Sequence, residues 1–484
     1  MIGSLKNLKS KINNQMKILQ QFIFLALVLS INACKVTKDI SVPEQPSNLQ
    51  YRNAQTSDSS TIAVIPWNQF FVNKELQQLI DTTLANNYDM QIALKNREAA
   101  QLVVKQSRLG YLPTIGAQLS GTINRPSDNS LSGLSLNQFL GKSYVEDYTS
   151  SISLNWEADI WGKIKNQQSK SLAAFLQTEE ARKLIQTDLV STIAKGYYNL
   201  LMLDAQVLIA KKNILLNDSV LAILNLQYKA GQVTSLAVHQ ATAQRLAAIE
   251  LVPQLEQAIA VEENRLSILS GVTPDKIKRS GSIYETVFTG NLSSGFPSAL
   301  LANRPDVKAK ELDLVIANAN TGISKAALYP SLAIGVNGGV NAFVASNWFN
   351  IPASLFATSV ASLTQPIFQQ GKLKTQYKIS TVEREKKVMA FRQSVLHAVG
   401  EVSDVLVKVE KLQEQHNIAQ ARVNELQLSI GNAKMLFTNG MANYLEVIVA
   451  QENVLQGELS LASLQKDRAT AIIDLYRSLG GGWR

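Results

Sequence analysis

The sequence predicts a mixed fold of long α-helices and transmembrane β-strands, built as two tandem structural repeats. Three observations predict it. Two parts of the chain match each other at a constant, gapless offset. Two very long stretches contain no proline. Short segments between the helical stretches alternate apolar and polar residues with period two.

The chain has 484 residues, 46% hydrophobic and 18% charged, as expected of a folded protein and far from the disordered range. Its formal charge is +9. Four of the lysines (Lys6, Lys9, Lys11 and Lys17) lie in residues 1–33, which hold no acid, and no dense basic run follows. The remainder is only mildly basic, which argues against a nucleic-acid partner.

Residues 1–33 read as an export signal. Lysines precede an uncharged run from Ile18 to Cys34 whose apolar centre, Phe22–Leu29, is too short to cross a bilayer. Translation could start at Met1 or at Met16. The run ends Ile31-Asn32-Ala33-Cys34, and Cys34 is the chain's only cysteine. A small residue before a cysteine after such a run resembles the bacterial lipoprotein signal, in which the thiol takes a diacylglycerol and becomes the mature N-terminus. The alternative is an ordinary cleaved signal with an incidental cysteine. Either way a lone cysteine forms no internal disulfide. No later stretch reads as a transmembrane helix, so membrane insertion would have to be as a β-barrel.

The repeat follows an extended N-terminal segment, residues 34–70. Leu84, Ala85, Asn86, Asp89, Pro113 and Gly121 match Leu301, Ala302, Asn303, Asp306, Pro330 and Gly338 at one offset. After the next loop a second offset holds. Gly162-Lys163-Ile164-Lys165 answers Gly371-Lys372-Leu373-Lys374, Tyr228 answers Phe437, Gly231 answers Gly440, Leu236 answers Leu445 and Gly271 answers Gly480. Colinear glycine and proline landmarks mark two structural copies, residues 71–271 and 297–484, joined by a linker over 272–296.

Within each copy proline placement sets the helices. None occurs from Ser127 through Val252, nor from Ile367 onward, so both stretches are free of the residue that breaks helix interiors. Helices running from Gly162 to Gly231 and from Gly371 to Gly440 would each span about 100 Å. Leu189, Ile193, Tyr197, Leu200, Leu203, Val207, Ala210 and Ile214 step by three or four, and Leu221, Leu224 and Tyr228 continue the stripe. Such a stripe is a packing seam between helices.

Strands fill the gaps between helices. Ile115, Ala117, Leu119, Gly121 and Ile123 alternate with Thr114, Gly116, Gln118, Ser120 and Thr122. Tyr148, Ser150, Ile152, Leu154 and Trp156 alternate with Thr149, Ser151, Ser153, Asn155 and Glu157. The second copy offers Leu332, Ile334 and Val336, then a weaker strand near Leu355–Leu363. Pro113 and Pro330 mark the change from helix to strand. Apolar-out, polar-in alternation over about ten residues is the transmembrane-barrel pattern, although a soluble hairpin with one buried face would alternate likewise. A barrel needs about eight strands even when filled. On the barrel reading, several chains must therefore share one barrel, whose polar inner face suits a water-filled lumen.

Catalytic chemistry is not visible. His239, His397 and His416 are dispersed without metal-ligand spacing, and no phosphate-binding glycine loop or Gly-x-Ser-x-Gly turn occurs. Glu157 and Asp159 read as lumen-facing or helix-capping residues. The sequence predicts no enzyme, cofactor or metal.

Several motifs now stand in order: Ala85-Asn86-Asn87-Tyr88-Asp89, Leu112-Pro113, Trp156-Glu157-Ala158-Asp159-Ile160-Trp161-Gly162, Tyr228-Lys229-Ala230-Gly231, Asn303-Arg304-Pro305-Asp306, Pro366 and Leu479-Gly480-Gly481-Gly482-Trp483. Together they resemble the TolC-like outer-membrane efflux proteins, in the lipoprotein branch that serves resistance-nodulation-division pumps, over roughly residues 60–484. The resemblance implies a homotrimer in the outer membrane of a Gram-negative bacterium, each chain giving four strands to a shared 12-stranded barrel continuous with a long α-helical barrel. It implies lipidation at Cys34 and passive conduction of small molecules from an inner-membrane pump. It places Tyr228, Gly231, Leu236, Phe437, Gly440 and Leu445 at helical hairpin tips that meet a periplasmic adaptor. It also implies acids narrowing the mouth shortly before the second tip, but Ser429–Thr438 contains none and has Asn432 and Lys434 instead. A duct for secreted proteins and a membrane-tethered coiled-coil scaffold are the alternatives; the scaffold leaves the alternating segments unexplained.

Overall fold

The computed structural model describes residues 51–52, 61–289, 295 and 299–484; the expected export signal and Cys34 lie outside them. Each repeat runs helix, strand, strand, long helix and shorter helix, and the first adds a helix at its start and another between its strands. The first has α1 (Lys74–Asn86), α2 (Tyr88–Arg108), β1 (Thr114–Asn124), α3 (Leu131–Leu140), β2 (Val145–Ala158), α4 (Lys163–Lys229) and α5 (Ser235–Leu269). The second has α6 (Pro305–Ala326), β3 (Ser331–Ala342), β4 (Leu355–Thr364), α7 (Lys372–Thr438) and α8 (Tyr444–Ser478). Helices α4 and α7 have 67 residues each, and α5 and α8 have 35 each.

Local chemistry sets the boundaries. Asn73 caps α1, its side chain accepting from the Leu76 amide at 2.9 Å, and Asn443 with Glu446 forms a capping box on α8. Both long helices end in glycines with positive φ, +73° at Gly231 and +71° at Gly440. There the amide after the glycine bonds back five residues, Gln232 to Gln227 and Met441 to Leu436, each at 2.8 Å. These bonds satisfy carbonyls that a helix end leaves open.

Several segments differ from the sequence reading. The connection between β1 and β2 contains α3, started by the Ser130 side chain accepting from the Gly133 amide. The stretch read as extended carries helical turns at Ile62–Val64 and Trp67–Phe70, with Ile62 and Phe70 buried; its hydrophobic residues find a core to enter. Helix α5 runs through Pro253. A proline there forfeits one backbone bond and crowds the preceding turn; Ala248 and Leu255, buried on either side, hold the helix in place.

The described residues form two compact units. One comprises Ala100–Phe175 with Asp313–Val388 and contains the sheet. Its four strands pair antiparallel in the order β1-β2-β3-β4. The ends that join α2, α4, α6 and α7 lie together, and the two hairpin connections lie at the opposite end of the sheet.

The other comprises the described residues up to Ala99, Leu176–Leu312 and Met389–Arg484. Its core takes the predicted stripe of α4, with Ile193, Tyr197, Leu200 and Ala210 buried. Phe70 stacks on Tyr476 at 4.1 Å, and the Tyr476 hydroxyl donates to the Ile65 carbonyl. The described part of the linker is strapped down: Ile283 is buried and Arg279 pairs with Asp204 and Glu263. The repeats end alike. A Cβ on Gly271 would stand 2.4 Å from the Asn86 carbonyl oxygen, and one on Gly480 2.5 Å from that of Asn303. The Asn87 side chain donates to the Leu269 carbonyl, and its counterpart Arg304 donates to that of Ser478, both at 2.9 Å.

Candidate membrane-spanning sheet and helical hairpin tips

Pairing partners in a sheet share a face, so the register sorts every strand side chain. One face carries the rows Ile115–Leu154–Val336–Ser359, Ala117–Ile152–Gly338–Ala357 and Leu119–Ser150–Val340–Leu355. The other carries Thr114–Asn155–Gly335–Val360, Gly116–Ser153–Asn337–Thr358 and Gln118–Ser151–Gly339–Phe356. Within these rows the first face is apolar apart from small hydroxyls, and the second is polar apart from its glycines and from Val360 and Phe356 on β4. Those two pair with Gly335 and Gly339, so β4 is apolar on both faces. This explains why β4 read weakly in sequence.

Much of the apolar face lies open in the single chain: Leu119 is 72% and Leu363 69% exposed. Patches of this kind mark a membrane or a partner. Aromatic residues bound it at both ends. Tyr148 and Trp348 lie 5.3 Å apart at the hairpin end. At the helix end Trp161 stacks on Tyr329 at 4.8 Å and donates to the Pro330 carbonyl, while Trp156 donates to that of Tyr111. Eight residue steps of β2 separate Tyr148 from Trp156, about 26 Å of strand, close to the apolar band of a membrane barrel. Among the described residues no helix is long and apolar enough to cross a membrane. The outer strands β1 and β4 each keep one edge unpaired.

At the junction with α4 the two acids singled out in sequence take the expected places. Asp159 caps the helix, accepting from the Ile164 and Lys165 amides at 2.9 Å, and Glu157 pairs with Lys163 at 2.9 Å. The histidines stay apart, and among the described residues no group of three metal-binding side chains forms.

The hairpin tips lie in the other unit. Tyr228, Leu236 and Leu445 are exposed there, flanking the turns at Gly231 and Gly440, around whose Cα atoms a side chain would meet open space. Phe437 differs from what the resemblance implies. It is only 4% exposed and packs with Val220, Leu224, Ala237 and Val447. It joins the two hairpins instead of pointing outward. Tyr444 donates to Gln240 at 2.6 Å across the same junction. Sequence reasoning did not single out Gln240 or Tyr444, because contacts between tips carry no local periodicity.

The model of the family described as "Outer membrane efflux protein" matches residues 79–272 and 296–481. The chain belongs to this family. The first matched segment contains α2 to α5 and the second contains α6 to α8. Its relatives include the cation efflux system protein CusC of Escherichia coli O6:H1, 25% identical over 462 residues, covering 95% of this chain and 98% of that one. The solvent efflux pump outer membrane protein SrpC of Pseudomonas putida is 27% identical over 466 residues, covering 94% and 97%. A crystal structure of CusC superposes with a TM-score of 0.83 at 24% identity, covering 93% of this chain and 100% of the other. The open state of the Neisseria gonorrhoeae MtrE outer membrane channel gives 0.82 at 22%, covering 93% and 99%.

Proposed function

We propose that this protein is the outer-membrane channel of a tripartite efflux pump, conducting small molecules passively to the cell exterior. The observation that carries this reading is the sheet: four strands, one apolar face, one polar face and two open edges. In lipid every backbone group must find a partner, so an open edge cannot persist there. Four strands cannot curl shut on themselves, but β4 of one copy can pair antiparallel with β1 of the next. Three copies give 12 strands, enough for a wetted lumen, with the polar face inward. The long helices prolong the duct on the periplasmic side as a helical barrel. Cys34 carries the lipid anchor.

Hairpin tips with exposed Tyr228, Leu236 and Leu445 and bare glycines receive the periplasmic adaptor, which links the channel to an inner-membrane resistance-nodulation-division pump. The glycines permit close approach of a partner helix. Membership in the family and the names of its relatives support the efflux role.

The test is mass and conductance of the full-length protein purified in detergent. A trimer that forms ion-conducting pores in planar bilayers is expected; a stable monomer that never conducts would overturn the proposal.

A further inference from the structure

We propose that Asp147 sets the charge preference of the barrel lumen, favouring cationic over anionic solutes at its outer end; this rests on the trimeric barrel proposed above. The register gives the reason. Strands β1, β3 and β4 contain no charged residue, and β2 contains Glu146, Asp147 and Glu157. Asp147 pairs with Thr122 and shares the polar face, whereas Glu146 pairs with Ile123 on the opposite one. Glu157 is also on the polar face, but Lys163 approaches both its carboxylate oxygens, at 2.9 and 3.0 Å. That pair is electrically neutral. Asp147 is held by neutral donors alone: the Asn341 amide at 2.6 Å and the Thr149 hydroxyl at 2.9 Å. These fix the carboxylate without cancelling its charge. Arg125, in the connection beyond the strands, is 3.9 Å from Asp128, and among the described residues no cation forms an ion pair with Asp147.

The sheet therefore gives its polar face one uncompensated negative charge per chain, at the hairpin end. Three copies place three such carboxylates at one level of the lumen. A ring of acids in a pore concentrates cations and repels anions, and such a ring here would act at the outer end, whereas Ser429–Thr438 before the second tip holds no acid.

Reversal potentials under a KCl gradient across planar bilayers test this with the intact trimer. Wild type should prefer potassium, and Asp147→Asn should lower the potassium-to-chloride permeability ratio about two- to fivefold, as three partly screened charges allow. Asp128→Asn, beside Arg125 in the connection, should leave the ratio unchanged. A second readout does not depend on the state of the periplasmic mouth. A Thr122→Cys reporter, opposite Asp147, should react faster with a cationic than with an anionic thiosulfonate, and Asp147→Asn should erase that difference. Unchanged permeability and labelling ratios in Asp147→Asn trimers overturn the inference while leaving the channel reading intact. Protein that neither trimerises nor conducts overturns the channel reading itself.

Discussion

Replacing Arg304 by alanine should be among the most damaging single changes to the second repeat. Its side chain is 11% exposed. It reaches Asp306 with two hydrogen bonds, at 3.0 and 2.7 Å, Glu401 at 2.7 Å and the Ser478 carbonyl at 2.9 Å. Losing one partner of a fully buried ion pair costs about 3–5 kcal/mol. Here Asp306 and Glu401 are 38% and 31% exposed, so water screens part of the loss, and Arg477 remains on Glu401. The discounted cost is about 2–3 kcal/mol. Arg304→Asn should recover part of it, because Asn87 occupies the equivalent place in the first repeat and bonds the equivalent carbonyl. Burial alone would raise the Asp306 carboxyl, but the hydrogen bonds and charge of Arg304 outweigh it and hold the group below its ordinary value. A carboxyl depressed by folding stabilises fully above its unfolded value, about 3.9, and loses that contribution as pH falls through the folded one. Thermal unfolding of the detergent-solubilised protein should therefore rank wild type, Arg304→Asn and Arg304→Ala in falling order at pH 7. The gap between wild type and Arg304→Ala should narrow below about pH 4. Equal unfolding temperatures for wild type and alanine at pH 7 would refute the reasoning.

Three further outcomes follow from the same geometry. Leu119→Arg puts a charge on the apolar face and should cost up to about 2–4 kcal/mol in the bilayer, seen as lost membrane assembly; Ser120→Arg, one residue on and facing the other way, should assemble normally. Cys34→Ala should abolish incorporation of labelled fatty acid while the protein still folds and trimerises, and retained label would rule out this anchor. Leu236→Ser with Leu445→Ser should weaken adaptor co-purification at least tenfold without changing thermal stability, whereas Phe437→Ala should lower stability because it opens a cavity between the hairpins.

The sequence made the architecture legible wherever a period or a breaker repeats. Proline-free stretches between paired glycines marked both long helices, and Pro113 and Pro330 marked both changes to strand. Period-two alternation in β1 and β2 assigned each side chain to the face that the register confirms. Where no period exists, the reading thinned. Helix α3 is too short and too uniformly uncharged to stand out from a loop, and its start depends on one serine side chain. The continuation of α5 through Pro253 was not legible, because a proline by itself gives no sign of the packing that sustains a helix across it. The tips were legible as glycine turns, but the burial of Phe437 follows from the meeting of two hairpins far apart in the chain.

On the proposed barrel, duplication explains why the chain would need copies of itself. Each repeat supplies one hairpin and closes its helices in the same way, with a glycine pressed on the carbonyl of Asn86 or Asn303. Joining two repeats pairs β2 with β3 and satisfies the inner edges, yet leaves β1 and β4 open. Because all pairings are antiparallel, the two open edges run in opposite directions, as an antiparallel join between copies requires. A third repeat in the same chain would only move the open edge along. In the proposed barrel closure comes from rotation of identical chains, a heterologous contact that ends in a ring. Swapping cysteines into the two open edges, one in β1 and one in β4, should therefore yield disulfide-linked dimers and trimers but no longer species. A ladder running beyond three would mean that the ring closes at a different number.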